Sequence, residues 1–193
     1  SYAPKPVITT DPGFYYPSSG AIQVVIQNPL PGFKVRYTTD GSEPNQASTE
    51  YTGSITVDKT RVIRARTFSN DASILPSFSE TNTYFINETH TMPVVSLASR
   101  DFEDLFSGFG GEISNYIEYF EDGQLRFEQQ GDIRGHGNDS WGYAQKGMRF
   151  YARDEYGYDN NIEYKIFQTT PRDEFDVIIL KAGASDNYPG GQF

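Results

Sequence analysis

The amino-acid sequence predicts a mainly β protein, and three observations lead there. Phe and Tyr occur 14 times each, Gly 18 and Pro 11 times, and short runs of alternating apolar and polar residues recur between turn residues. This mixture favours strands joined by many turns over helical bundles. The texture changes near residue 88, so the chain is read as two parts: residues 1–88 a β-sandwich, and residues 89–193 an α+β unit.

The first part can be justified strand by strand. In IQVVIQ, Ile22, Val24 and Ile26 fall on one face and Gln23, Val25 and Gln27 on the other, and NPLPG ends the run. In KVRYTT, Val35, Tyr37 and Thr39 lie together opposite Lys34, Arg36 and Thr38, so one face is wet. Asp40-Gly41 supplies a tight turn, since Gly tolerates positive φ and Asp can hydrogen-bond the backbone just ahead of it. Asp40 and Glu43 alone offer too few oxygen ligands for calcium, so DGSEP reads as a corner of the sandwich. SITV, then TRVIRARTF with Arg64 and Arg66 alternating against Ile63, Ala65 and Thr67, then ETNTYFI complete six or seven strands.

NETHTMP, residues 87–93, reads as a linker. MPVVSL is a short apolar strand, and SRDFEDLF reads as a helix start. Ser99 would be its N-cap, Asp101 and Glu103 would sit in the first turn, and Phe102, Leu105 and Phe106 follow at helical spacing. SGFGGE ends that helix. NYIEYFEDGQLRFEQQGDIRG then reads as antiparallel strands around a second Asp-Gly turn, Asp122-Gly123. WGYAQKGMRFYARDEYG, with Lys146 inside a strand of alternating residues, then EYKIF and FDVIILKAG extend the sheet.

Composition narrows the chemistry. A net charge of -10 repels nucleic acid phosphates and anionic membranes, and no basic patch overrides it, so no nucleic-acid partner is expected. The absence of cysteine excludes disulfides, thiol catalysis and cysteine-type zinc sites. Only His90 and His136 remain for imidazole chemistry, which argues against a zinc or Ser-His-Asp enzyme. No apolar run approaches the roughly 20 residues of a spanning helix, so no membrane span is expected. An acidic, Tyr-rich, cysteine-free β protein fits bacterial export, although lack of cysteine is equally common in the cytosol.

The stretch PGFKVRYTTDGSEPNQASTEYTGSITVDKTRVIRARTF resembles the chitobiase/β-hexosaminidase C-terminal-type module, also called the Fn3-associated domain. Its YT-DG-P strand and turn, the following S--Y and the strand ending in -RA- carry the resemblance, which extends over residues 6–86. It implies an immunoglobulin-like β-sandwich appended to secreted bacterial proteins, and no catalysis. The second part resembles the start of the CotH kinase-like family, named for spore-coat protein H, through MPVVSLASRDFEDLF, GDIRGHGNDSWGYAQKGMRFYARDEYG, IEYKIF and FDVIILKAGASDN.

That second resemblance implies an atypical protein kinase of which residues 89–193 are the N-terminal part, truncated before a C-terminal lobe. ATP and magnesium are expected as cofactors of a full-length protein and none in this fragment. The protein would be secreted or held at the bacterial cell surface, with a protein substrate. In the resembled family Lys146 occupies the phosphate-contacting slot, supported by Arg134, and both are candidate cofactor-binding residues. A solvated Lys146, and a sheet corner in which Gly135 and Gly137 serve Arg134 and His136, are the structural alternatives. No catalytic residue or metal ligand is assigned, and Asp186 is read as lying in a surface loop.

A non-catalytic module that binds a cell-surface glycan or holds a neighbour in place is the competing function. Phe14, Tyr15 and Tyr16 are candidate sugar-stacking rings. Glu118, Glu121, Asp122 and Glu128 cluster in sequence, and a glycosidase needs two carboxylates roughly 5 to 9.5 Å apart, yet a solvated hairpin explains them more simply. Asp154, Glu155 and Asp159 read as a polar strand connection.

Overall fold

The computed structural model describes residues 1–27, 30–99, 102–106, 111–137 and 146–181. Among the described residues strands predominate and helix is confined to one short α-helix and one 3-10 turn, so the mainly β expectation holds. Two compact units are present, residues 1–100 with 117–128 and residues 101–116 with 129–193. Whereas the sequence suggested a division at residue 88, the tip of a later hairpin is here counted with the first unit.

The first unit opens with β1 (Gly13–Tyr15), β2 (Ile22–Val24), β3 (Phe33–Thr38), β4 (Thr49–Glu50), β5 (Ile55–Val57), β6 (Arg61–Ser69) and β7 (Glu80–Ile86). They form a five-stranded sheet in the order β1-β7-β6-β3-β4 and a two-stranded ribbon, β2-β5. β1 runs parallel to β7, while β3, β4, β6 and β7 pair antiparallel. Val24 and Val57 from the ribbon and Val35, Ile63, Ala65 and Tyr84 from the sheet are all buried in one core. Burying each of the larger aliphatic side chains there stabilises the sandwich by roughly 1.5–3 kcal/mol. The alternation in IQVVIQ is real, since Val24 and Ile26 are buried and Gln23, Val25 and Gln27 are exposed.

The DGSEP corner is architecture. Asp40 Oδ1 accepts from the Ser42 N–H at 3.1 Å and from the Ser42 hydroxyl at 2.6 Å, and these bonds hold its carboxyl below the usual range. Gly41 has φ +79°, the left-handed conformation the turn requires. Glu43 then reaches Arg64 at 2.6 Å and Arg66 at 3.5 Å and accepts from the Ser79 hydroxyl. Both carboxylates of the stretch are thereby engaged in holding the sandwich.

Further along are β8 (Val94–Ser99), α1 (Phe102–Phe106), β9 (Ile113–Glu121), β10 (Gln124–His136), β11 (Gly147–Ala152), β12 (Ile162–Glu163), β13 (Glu174–Phe175) and β14 (Val177–Leu180). β9 and β10 form a hairpin whose turn carries Asp122 at φ 53° and Gly123 at φ 73°, as a two-residue hairpin turn with positive φ at both positions demands. In the second unit β10, β11 and β14 are neighbours in antiparallel order, and β12 pairs with β13.

The helix start read at SRDFEDLF is present as α1, and together with a 3-10 turn at Asp154–Tyr156 it is the helical content of the second part among the described residues, which are otherwise mostly strand and turn. Two expectations need correction. Ser99 is buried at the end of β8, ahead of the first helical residue Phe102, and does not sit in the N-cap position. Glu118 is not on a solvated hairpin. Tyr116, Ile117, Glu118, Tyr119 and Phe120 are all buried, because both faces of β9 are covered.

Candidate functional site

In the second unit the register of β10 on β11 pairs Asp132 with Tyr151, Arg134 with Arg149 and His136 with Gly147. Period-two alternation then places Asp132, Arg134, His136, Arg149 and Tyr151 on one face. Ile133 and Phe150, in the opposite phase, are fully buried. The apolar side of this ribbon fixes the orientation of the polar side. Gly131 lets the two strands approach, since a Cβ there would meet the Tyr151 carbonyl oxygen at 2.1 Å.

The polar face is a cation and carboxylate cluster. Arg153, just beyond β11, donates through Nε to Asp132 at 2.9 Å and through a terminal nitrogen to Glu112 at 2.6 Å. Those bonds raise its already high pKa. The Tyr156 hydroxyl donates to the other oxygen of Asp132 at 2.9 Å, and burial together with the Asp132 charge pushes that phenol's pKa up. Arg134 stands 4.0 Å from Glu112 and 5.9 Å from the Tyr151 ring centre, and its side chain is 48% exposed.

Arg149 is bound differently. It donates to His136 Nδ1 at 3.1 Å and to the Tyr151 hydroxyl at 3.4 Å, both uncharged acceptors. Its Nε is buried with no hydrogen-bond partner among the described residues. Acceptance at Nδ1 places the His136 proton on Nε2. The cluster thus holds three guanidinium groups, Arg134, Arg149 and Arg153, and two carboxylates, Glu112 and Asp132, which pair with Arg134 and Arg153 and leave Arg149 without one. A planar fork of donors without an anionic partner suits a phosphate or carboxylate oxygen.

Of the residues singled out from sequence, Arg134 and His136 lie in this cluster. Lys146 is half-buried and precedes β11, in phase with Met148 and Phe150 and out of phase with Arg149, so strand alternation separates it from Arg134. Asp186 lies outside the described residues. Arg149, Tyr151 and Arg153 were not singled out, although their spacing of two along MRFYAR, facing the same spacing in DIRGH, was the available signal.

The sugar-stacking trio divides. Phe14 stacks on Phe85 at 4.4 Å and meets Phe120 edge-on, and the Tyr15 hydroxyl donates to the Asp11 carbonyl at 2.6 Å. Tyr16 is exposed, with its hydroxyl donating to the Glu88 carbonyl at 2.7 Å. Among the described residues no group of three or more His, Cys, Asp or Glu side chains is placed to hold a metal ion. No described helix is long and apolar enough to cross a membrane.

Neither the curated proteins nor the solved structures compared with the chain give a match. No match bears on the CotH-like resemblance of the second part. The family model of the chitobiase/beta-hexosaminidase C-terminal domain matches residues 10–74, the stretch from the segment before β1 to the loop before β7.

Proposed function

We propose that the chain couples an accessory immunoglobulin-like β-sandwich to a phosphate-recognising β unit of the CotH kinase-like type, secreted or displayed at a bacterial cell surface. Its chemistry is ATP-dependent phosphoryl transfer to a protein, carried out together with a further lobe that supplies the magnesium ligands and the catalytic base. Phosphoryl transfer needs fixed cations on the phosphates before it needs anything else from this part of the protein. The observation that carries the reading is the cross-strand pair Arg134 and Arg149, of which Arg149 is held by neutral groups with its Nε unpartnered. Lys146, one residue before the same strand, is the second candidate contact.

Calorimetry of the chain with magnesium-ATP and, separately, with pyrophosphate tests this. Both should bind, and Arg149→Ala should weaken binding roughly 10- to 100-fold, the loss expected for charge-assisted hydrogen bonds. Absence of heat from the wild type, or equal binding by Arg149→Ala and Arg134→Ala, would overturn the reading. If Lys146→Ala binds as wild type while Arg149→Ala does not, the site is the arginine face alone.

A non-catalytic glycan-binding role is the second reading. Tyr2 and Phe78 favour it, stacked at 5.3 Å and 27° and both exposed beside Leu75. A glycan array on the chain, with Tyr2→Ala as control, should give hits that the variant loses, and an empty array removes the reading.

A further inference from the structure

Glu118 is the most deeply buried acid among the described residues, at 1% exposure, and the phosphate reading leaves it unused. It projects from β9 toward β7. Its Oε1 accepts the Thr83 backbone N–H at 3.0 Å, its Oε2 contacts the Thr83 hydroxyl, and that hydroxyl contacts the Ser96 hydroxyl of β8 at 2.6 Å. No cation pairs with it among the described residues.

We propose that Glu118, Thr83 and Ser96 form a proton-dependent latch that clips the tip of the β9–β10 hairpin, residues 117–128, to strand β7 of the sandwich. In the closed state the carboxyl is neutral. Its O–H donates to Thr83 Oγ1, whose own O–H donates to Ser96, while the other carboxyl oxygen accepts the Thr83 N–H. Each polar group of the clip is then satisfied without a buried charge. Removing the proton turns that O–H donor into a second acceptor and places a negative charge in an apolar site.

The charged and titratable groups facing Glu118 are acids and a phenol, with no cation among them in the described residues. β7 contributes Glu80, whose own charge is matched by Lys5 at 2.5 Å, and the Tyr84 phenol. β10 contributes Glu128, β8 presents only Ser96 in a strand without charged residues, and Glu121 lies farther along β9 itself. Burial first, then the Glu128 and Glu80 charges, push the Glu118 carboxyl up to about 8, although the Thr83 N–H and the Thr83 hydroxyl, which turns to donate to the ionised form, pull it part of the way back. The sign follows. A released hairpin carries a Glu with an ordinary value, so the closed form holds the extra proton between that value and about 8. The latch is therefore strongest in acid, weakens as pH rises through this window, and changes little above it.

Carboxyl 13C NMR of the Glu-labelled 193-residue chain provides the direct test. One resonance, assigned by its loss in Glu118→Gln, should titrate well above the other glutamates. Amide exchange in residues 117–121 and at Thr83, corrected for the intrinsic pH dependence, should lose protection about tenfold per pH unit inside the window. Glu118→Gln copies the neutral acid with an amide, so its protection should stay flat over the same range. A Glu118 resonance titrating with the ordinary glutamates would overturn the latch. So would identical pH profiles for wild type and Glu118→Gln. Should the variant not fold, the wild-type titration, assigned by through-bond correlation, still decides.

Discussion

Two arginine groups on β-strands show how similar sequence patterns serve different ends. In the first unit Arg64 and Arg66 alternate along β6. In the second, Arg149 and Arg153 alternate along and just beyond β11, opposite Arg134. Arg64 is buried and meets Glu43 at 2.6 Å, Thr81 Oγ1 at 3.1 Å and the Gly41 carbonyl at 3.4 Å, while Arg66 donates to the Ser77 carbonyl at 2.6 Å. That cation is balanced and enclosed. Arg149 instead leans on a histidine and a tyrosine. Alternating charge says that a strand has two faces. Whether a cation is structural or available is decided by carboxylates that arrive from elsewhere in the fold.

The comparison can be broken most forcefully at Glu43. Glu43→Ala leaves the Arg64 guanidinium in a buried site without its carboxylate and should cost about 3 kcal/mol, read from urea denaturation of the chain. A loss under about 1 kcal/mol would mean that the neutral acceptors carry Arg64, and the contrast with Arg149 would fall. The next effect concerns the turn that delivers Glu43. Gly41→Ala forces a side chain into the left-handed region at a cost of about 1 kcal/mol. Its Cβ would meet Ala98 at 3.5 Å, an ordinary contact, and Gly123→Ala in open space should cost about the same. A much larger loss at Gly41 would show that the corner packs more tightly than its geometry indicates. The smallest effect sharpens the second group. Asp132→Asn removes one carboxylate from Arg153, and pyrophosphate should then bind roughly threefold tighter by calorimetry, the scale of one partly exposed charge. Unchanged or weaker binding would place the anion away from this face.

Much of the sandwich was legible because its information is local. Alternation in IQVVIQ and KVRYTT located Val24, Ile26 and Val35 in the core, and Asp-Gly located both tight turns. Less of the candidate site could be read. Arg134 and His136 were visible beside their glycines, but their meeting with Arg149 depends on β10–β11 register, which no local spacing specifies. Glu118 was misjudged for a related reason. Acids next to a hairpin turn are normally solvated, and nothing within β9 announces that β7 and β8 will bring Thr83 and Ser96 to it. The partners that reverse such a reading lie 35 and 22 positions away in the chain.

The parallel pairing of β1 with β7 bears on how the first unit is made. β7 is an inner strand, between β1 and β6, yet it is the last of the seven sandwich strands in the chain and lies beyond the matched residues 10–74. Gly13 waits for Tyr84 before β1 has a neighbour. During synthesis the earlier strands must therefore remain unfinished, with one sheet edge open, until about seventy further residues have emerged, a delay that favours slow, late closure. A fragment cut at the end of the matched stretch would lack the strand that joins the sheet's two sides, and its β1 would have no place to pair.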